Sequence, residues 1–192
     1  MKSKLEVVNA ALEACSQSPV ASIDLTNQQV EVISGILERE LVDGQTEGWA
    51  FNVEDEVTLT PDLSGFITVA ADILHVSWGK DRARTPVLAL RGARLFNRSD
   101  NTYVFTGPIK VRVIRKLDWE FTPQEYREFI QARAIRMAYA ALITGGPLLQ
   151  ALYLAEAQAR AHLTALQASA SNESLLRTPA ASQFLESPWF SI

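Results

Sequence analysis

The spacing of apolar residues changes twice along this chain, and those two changes limit the fold more than any single motif. Through residue 47 the apolar residues recur at intervals of three and four, as on one face of a helix. From Trp49 to Lys116 they form short alternating runs separated by turns. Helical spacing returns at Thr122 and lasts to about residue 170. This order predicts an α+β protein: a helical bundle of two N-terminal and two C-terminal helices with an inserted antiparallel β-sheet region. The boundaries expected are 1–47 and 121–175 for the bundle, 48–120 for the β region and 176–192 for a C-terminal arm.

The local signals are as follows. Leu5, Val8, Leu12 and Cys15 predict a first helix over 5–15. Ser18-Pro19 breaks the loop after it, and Thr26 with Gln29 has the form of a capping box for a second helix over 27–42. Asp43-Gly44 is expected to end that helix. Gly35 inside it implies close approach of another backbone, or tolerance. Strands are expected at 56–60, 66–69, 73–78, 87–90, 94–96, 103–105 and 109–114, with Ile109, Val111 and Val113 sharing one side of the last. Thr122-Pro123-Gln124-Glu125 predicts a capped third helix reaching residue 143, a rod of roughly 31 Å. Gly145-Gly146-Pro147 breaks it, and an alanine-rich fourth helix follows over 147–170.

Composition excludes several kinds of function. Among 192 residues, 18 are Lys or Arg and 22 are Asp or Glu, a net charge of −4 that suits neither a phosphate-gripping surface nor a disordered chain. One cysteine allows no intrachain disulfide and no cysteine cluster for zinc, and two histidines leave little room for metal chemistry. No cofactor is expected. Residues 1–14 mix Lys2, Lys4, Glu6 and Glu13 with spaced apolar residues, unlike a secretory leader, and no window has the length of a membrane span. Glu54, Asp55 and Glu56 could supply the carboxylate pair of a glycoside hydrolase, with Glu54 and Glu56 on one side of a strand. A solvated strand end is the plainer expectation. His75 reads as a half-buried sheet residue, His162 as a helix-surface residue and Cys15 as a small core side chain. No Gly-x-Ser-x-Gly elbow and no phosphate loop is present. Lys80, Arg82, Arg84, Arg91, Arg94 and Arg98 form the one local excess of positive charge, a candidate loop for DNA or an acidic partner or simply solvated hairpins.

Several short segments stand in a distinctive order. These segments are Val8-Asn9 with Leu12, Ser18-Pro19-Val20, Gly48-Trp49-Ala50-Phe51-Asn52 and Leu59-Thr60-Pro61-Asp62. Ala71-Asp72-Ile73-Leu74, Leu95-Phe96-Asn97-Arg98 and Tyr103-Val104-Phe105 follow. The run Val113-Ile114-Arg115-Lys116-Leu117-Asp118-Trp119-Glu120 then leads into Pro123 and Arg133-Ala134. In this order and spacing they resemble the tail tubular protein A family of short-tailed bacteriophages. Ala70 departs from the proline often found in the family, and the last twenty or so residues have no match. The resemblance implies a non-enzymatic head-to-tail adaptor, or gatekeeper, located in the virion tail and assembled in the host cytoplasm. It implies a homo-oligomeric ring, commonly of twelve copies, between the portal protein and the tail nozzle protein, with tail fibres as a further neighbour. Genome DNA would pass through the lumen during ejection without sequence-specific binding. Twelve copies at −4 amount to −48, a charge that favours sliding over sticking. The alternative is a tail-associated hydrolase acting on polysaccharide.

Three sets of partner-facing residues are expected. Ala140, Ala141, Ala155 and Ala159 lie where helices or subunits would approach closely. Phe184, Leu185, Trp189, Phe190 and Ile192 form an apolar arm that orders on the portal or a neighbouring subunit, or folds back on its own bundle. Arg82, Arg84 and Arg98 are the candidate DNA or partner loop. Trp49 and Phe51 are expected to anchor the turn from helix into sheet.

Overall fold

The computed structural model describes residues 2–78, 87–143 and 146–176, with side chains described to Ser169. The elements are α1 (Lys4–Ala14), α2 (Gln28–Gln45), β1 (Val53–Leu59), β2 (Ile73–Trp78), β3 (Leu88–Arg91), β4 (Arg94–Asn97) and β5 (Ile109–Arg115). A 3-10 turn (Trp119–Phe121), α3 (Gln124–Leu142) and α4 (Leu148–Leu176) complete the order. The chain divides into a helical unit, Met1–Glu40 with Pro123–Ile192, and a β unit, Leu41–Thr122. The mixed α+β class is as the periodicity predicts.

In the helical unit α3 packs against both α1 and α4. Its buried residues Tyr126, Phe129, Ile130, Ala134 and Ala138 follow the helical period. The contributions from α1 are Val7, Val8, Ala11, Leu12 and Cys15, all buried. Ser3 caps α1: its hydroxyl accepts from the Glu6 backbone N at 3.3 Å, and Glu6 Oε2 accepts from the Ser3 backbone N at 2.6 Å.

Helix α4 runs to Leu176, past the end expected near residue 170, and three other helix boundaries differ from expectation, each for a local reason. The Thr26 hydroxyl binds Asp24 Oδ1 at 2.8 Å, so Asn27 caps α2 instead, accepting from Gln29 N at 3.0 Å. At the other end α2 passes Asp43-Gly44 and stops at Gln45. The Gln45 amide binds Leu41 O and Leu117 O, which holds that last turn. At α3 the Thr122 hydroxyl donates to Trp119 O at 2.8 Å, closing the 3-10 turn, and Pro123 takes the cap position. Gly35 is a matter of tolerance: a Cβ built there meets nothing within 4 Å.

Among the described residues the β unit contains two antiparallel sheets, β1-β5-β2 and β3-β4, where the sequence suggested one region. Val111 and Val113 of β5 are fully buried, Ile109 packs beside them, and Ile67, Val69, Val76, Leu95 and Phe105 complete the core. The expected strands at 66–69 and 103–105 are reduced to single bridges, Phe66 with Val104 and Thr68 with Arg94. The segment 66–69 divides its pairing between two partners, Val104 on one side and Arg94 on the other, so neither pairing extends into a ladder. Gly48 is the glycine the geometry requires. It has φ +77, and a Cβ there would lie 3.0 Å from Ile114 Cδ1.

Candidate functional site

The three neighbouring carboxylates of β1 do not form a catalytic pair. A β-bulge shifts the register between Glu54 and Val57, and Glu56 lies at φ +60. The simple alternation that would have put Glu54 and Glu56 on one side is therefore broken. Each acid turns to its own cation on β5: Glu54 to Arg115 Nε at 2.7 Å, Asp55 to Arg112 at 3.5 Å and Glu56 to Lys110 at 4.0 Å. Arg115 also binds Asp72 at 2.7 Å. The bond to Glu54, then that to Asp72, raises its guanidinium above the ordinary arginine range. These are exposed cross-strand pairs that help fix register.

His75 is exposed, not half-buried. The register slips between Ile73 and His75 opposite β5, leaving Ile73 and Val76 as the inward residues of β2.

Sequence reasoning missed the most ordered polar feature, an amide knot between the end of α2 and the start of β1. Asn52, 2% exposed, accepts from Trp49 N at 2.8 Å and donates to Gln45 O at 3.0 Å and Arg115 O at 2.9 Å. Gln45, 0% exposed, donates to Leu41 O and Leu117 O and accepts from Leu117 N at 2.6 Å. Trp49 is buried as expected, and its indole donates to Gly44 O at 2.7 Å. All the side-chain polar atoms of both amides have partners, which is why burial is tolerated. The knot fixes the chain direction after α2. It is a structural device with no open face for a ligand.

The helical unit carries three ion pairs of interest, two of them on one carboxylate. Glu40, buried, accepts from Arg133 Nε at 2.6 Å and from Arg39. Arg136 on α3 binds Glu156 on α4. Burial is the largest single influence on Arg136 and works against its charge, but the bond to Glu156, the charge of Glu156 and the contribution of Tyr153 together outweigh it and the guanidinium is raised. The Cys15 thiol is buried and pushed up by desolvation, which makes it a poor nucleophile near neutral pH.

Helix α4 has two faces rich in alanine and leucine, and among the described residues only one is covered. Leu149, Leu152, Ala159 and Leu163 are buried or half-buried. On the other side Ala151, Leu154, Gln158, Ala161, Ala165 and Ala168 are exposed and recur at alternating steps of three and four. Leu154 is 59% exposed, whereas Tyr153, 54% exposed, lies under the Arg136 guanidinium of α3 at 4.6 Å and is not part of this face. The 3-4 repeat was the signal available in the sequence for this second face.

The structure scatters the expected partner residues. Ala140, Ala141 and Ala155 are exposed, Ala159 is half-buried, and the alanines fully buried in α3 are Ala134 and Ala138. Arg98 is exposed, its backbone N bonded to Val87 O at 2.7 Å. Lys80, Arg82 and Arg84, and Phe184, Leu185, Trp189, Phe190 and Ile192, lie outside the described residues. Among the described residues no group of three or more His, Cys, Asp or Glu could hold a metal ion. No described helix is long and apolar enough to cross a membrane.

Against known proteins, the family described as "Tail tubular protein" matches residues 5–173. A curated relative, "Tail tubular protein A" of Klebsiella phage KP34, is 30% identical over 122 residues. That match spans 63% of this chain and 63% of the relative, less than two thirds of its length.

Proposed function

The chain belongs to the tail tubular protein family, and from that premise we propose that it is a structural part of a short-tailed phage virion. In this reading it is a head-to-tail adaptor: copies form a ring between portal and nozzle, and DNA leaves through the centre. The observation that carries the reading is the uncovered apolar face of α4. A helix with alanine and leucine at steps of three and four on its solvent side suits packing against a second helix at short range. Repeated around an axis, such a contact closes a ring. The net charge of −4 on each copy supports an acidic conduit. The β1 carboxylates lend no support to a polysaccharide hydrolase, because each is engaged by a separate cation.

The test is electron microscopy of the purified protein mixed with its portal. Rings coaxial with the portal are expected, and subunits that never associate would overturn the proposal. The arm of 176–192 is assigned to the portal or a neighbouring subunit on its apolar content. Deletion after Ser182 should leave a folded protein that loses ring formation or portal binding. Normal assembly with a lowered melting temperature would instead mean that the arm folds back on its own bundle.

A further inference from the structure

The β3–β4 hairpin carries an unusual rung. Arg91 and Arg94 are direct partners in its register, on either side of a two-residue turn. Gly92, at φ +60, takes the first turn position, where a tight hairpin favours glycine. Residues paired this way point to the same face, with Cβ atoms about 5 Å apart, and two like charges so placed repel. Both arginines are exposed, and neither has an acidic partner among the described residues. Aromatic rings hold them instead. The Arg91 guanidinium lies 3.6 Å from the Phe96 ring centroid, and that of Arg94 lies 4.7 Å from the Phe66 centroid.

An apolar rim continues from both rings. The Tyr103 ring packs tilted against Phe96, with centroids 4.8 Å apart, and Val104 pairs with Phe66 in an isolated bridge. Tyr103 is 36% exposed and Val104 is 50% exposed. The face therefore combines two pre-positioned guanidiniums with no acidic partner among the described residues and accessible apolar side chains. Arginine and aromatic residues together are the composition of interface anchors, and a guanidinium fork matches a carboxylate in two bonds.

We propose that this face docks an acidic segment of a partner protein, one that sets an Asp or Glu carboxylate between Arg91 and Arg94 and an apolar side chain against Tyr103 and Val104. Duplex DNA fits less well. Its affinity grows with the number of phosphates neutralised, one rung supplies two cations, and the apolar rim has nothing to meet on a phosphate backbone. The proposal concerns the hairpin alone and stands apart from ring formation.

Fluorescence anisotropy on the full chain tests it, with a random Glu–Tyr copolymer and a 20-base-pair duplex as probes. The copolymer is expected to bind about tenfold or more tightly to the native chain than to the R91E/R94E variant, the scale of losing charge-assisted hydrogen bonds. The R91K/R94K variant, which keeps the charges but not the flat stacking, should bind several-fold less tightly than the native chain. Circular dichroism and melting of both variants confirm that the hairpin is folded, and the Lys variant decides if the Glu variant is not. Copolymer binding unchanged in the folded variants would overturn the proposal. So would tighter binding of the duplex than of the copolymer, with the duplex lost on substitution.

Discussion

In the helical unit the least exposed residues of α3 are Tyr126, Phe129, Ile130, Ala134 and Ala138, while in the β unit two of the least exposed residues are amides, Gln45 and Asn52. The helices are positioned by apolar surface removed from water, a non-directional force that tolerates small shifts. The turn from α2 into β1 is positioned by hydrogen bonds that fail if an atom moves by an ångström. The two units should therefore respond differently to the same kind of damage. Removing volume should weaken either unit, whereas removing a polar group should matter most in the β unit.

The largest effect is expected for Trp49→Ala. The indole is 6% exposed and holds Gly44 O, so its loss should cost about 3–5 kcal/mol. Thermal melting followed by near-ultraviolet circular dichroism checks it. An unchanged melting temperature would make Trp49 a partner contact instead.

Asn52→Ala sharpens the contrast, because it removes little volume but takes away the amide's bonds to Arg115 O, Trp49 N and Gln45 O, of which Gln45 O keeps a bond from Gly48 N. Each buried group left unpaired costs about 1–3 kcal/mol. Urea unfolding should show a clear loss of stability. A near-neutral result would mean that the knot is not what holds the turn.

Ala159→Trp probes the other side of the comparison. Ala159 is half-buried on α4, and overpacking there should cost about 1–3 kcal/mol per site. Rings of normal size and stability in this variant would show that the position has free space.

The smallest effect concerns pH. The Cys15 thiol is raised above its ordinary value of 9.0 by burial. Unfolded chain ionises first as pH climbs, so the contribution of Cys15 is fully present below that value and declines above it, through the folded-state value. Cys15→Ala should flatten the alkaline part of a stability-versus-pH curve. An identical alkaline slope in both proteins would contradict the assignment.

How much of this was legible depends on how far each residue's partners lie along the chain. The period of α3, the bounds of β2 and the alternation of β5 are set by neighbours within a few positions and could be read directly. The knot could not. Asn52 finds Arg115 at a separation of 63 residues and Gln45 finds Leu117 at 72, and polar residues beside glycine look like any loop. The bulge at Glu54 was hidden for the same reason, since a register shift belongs to the strand pair. Thr26 and Thr122 each had the right spacing for a cap but found a nearer partner, Asp24 in one case and Trp119 O in the other. On α4 the alanine content was visible, while the division into a covered and an uncovered face needed the fold.

The central claim is that the uncovered face of α4 is where subunits meet. Native mass measurement of the purified protein, with Leu154→Glu alongside, tests it most directly. Leu154 is 59% exposed in the single chain, so the substitution should leave the fold and melting temperature nearly unchanged. The account predicts closed multimers for the native chain and monomers for Leu154→Glu. Multimers of unchanged mass in the variant would contradict it.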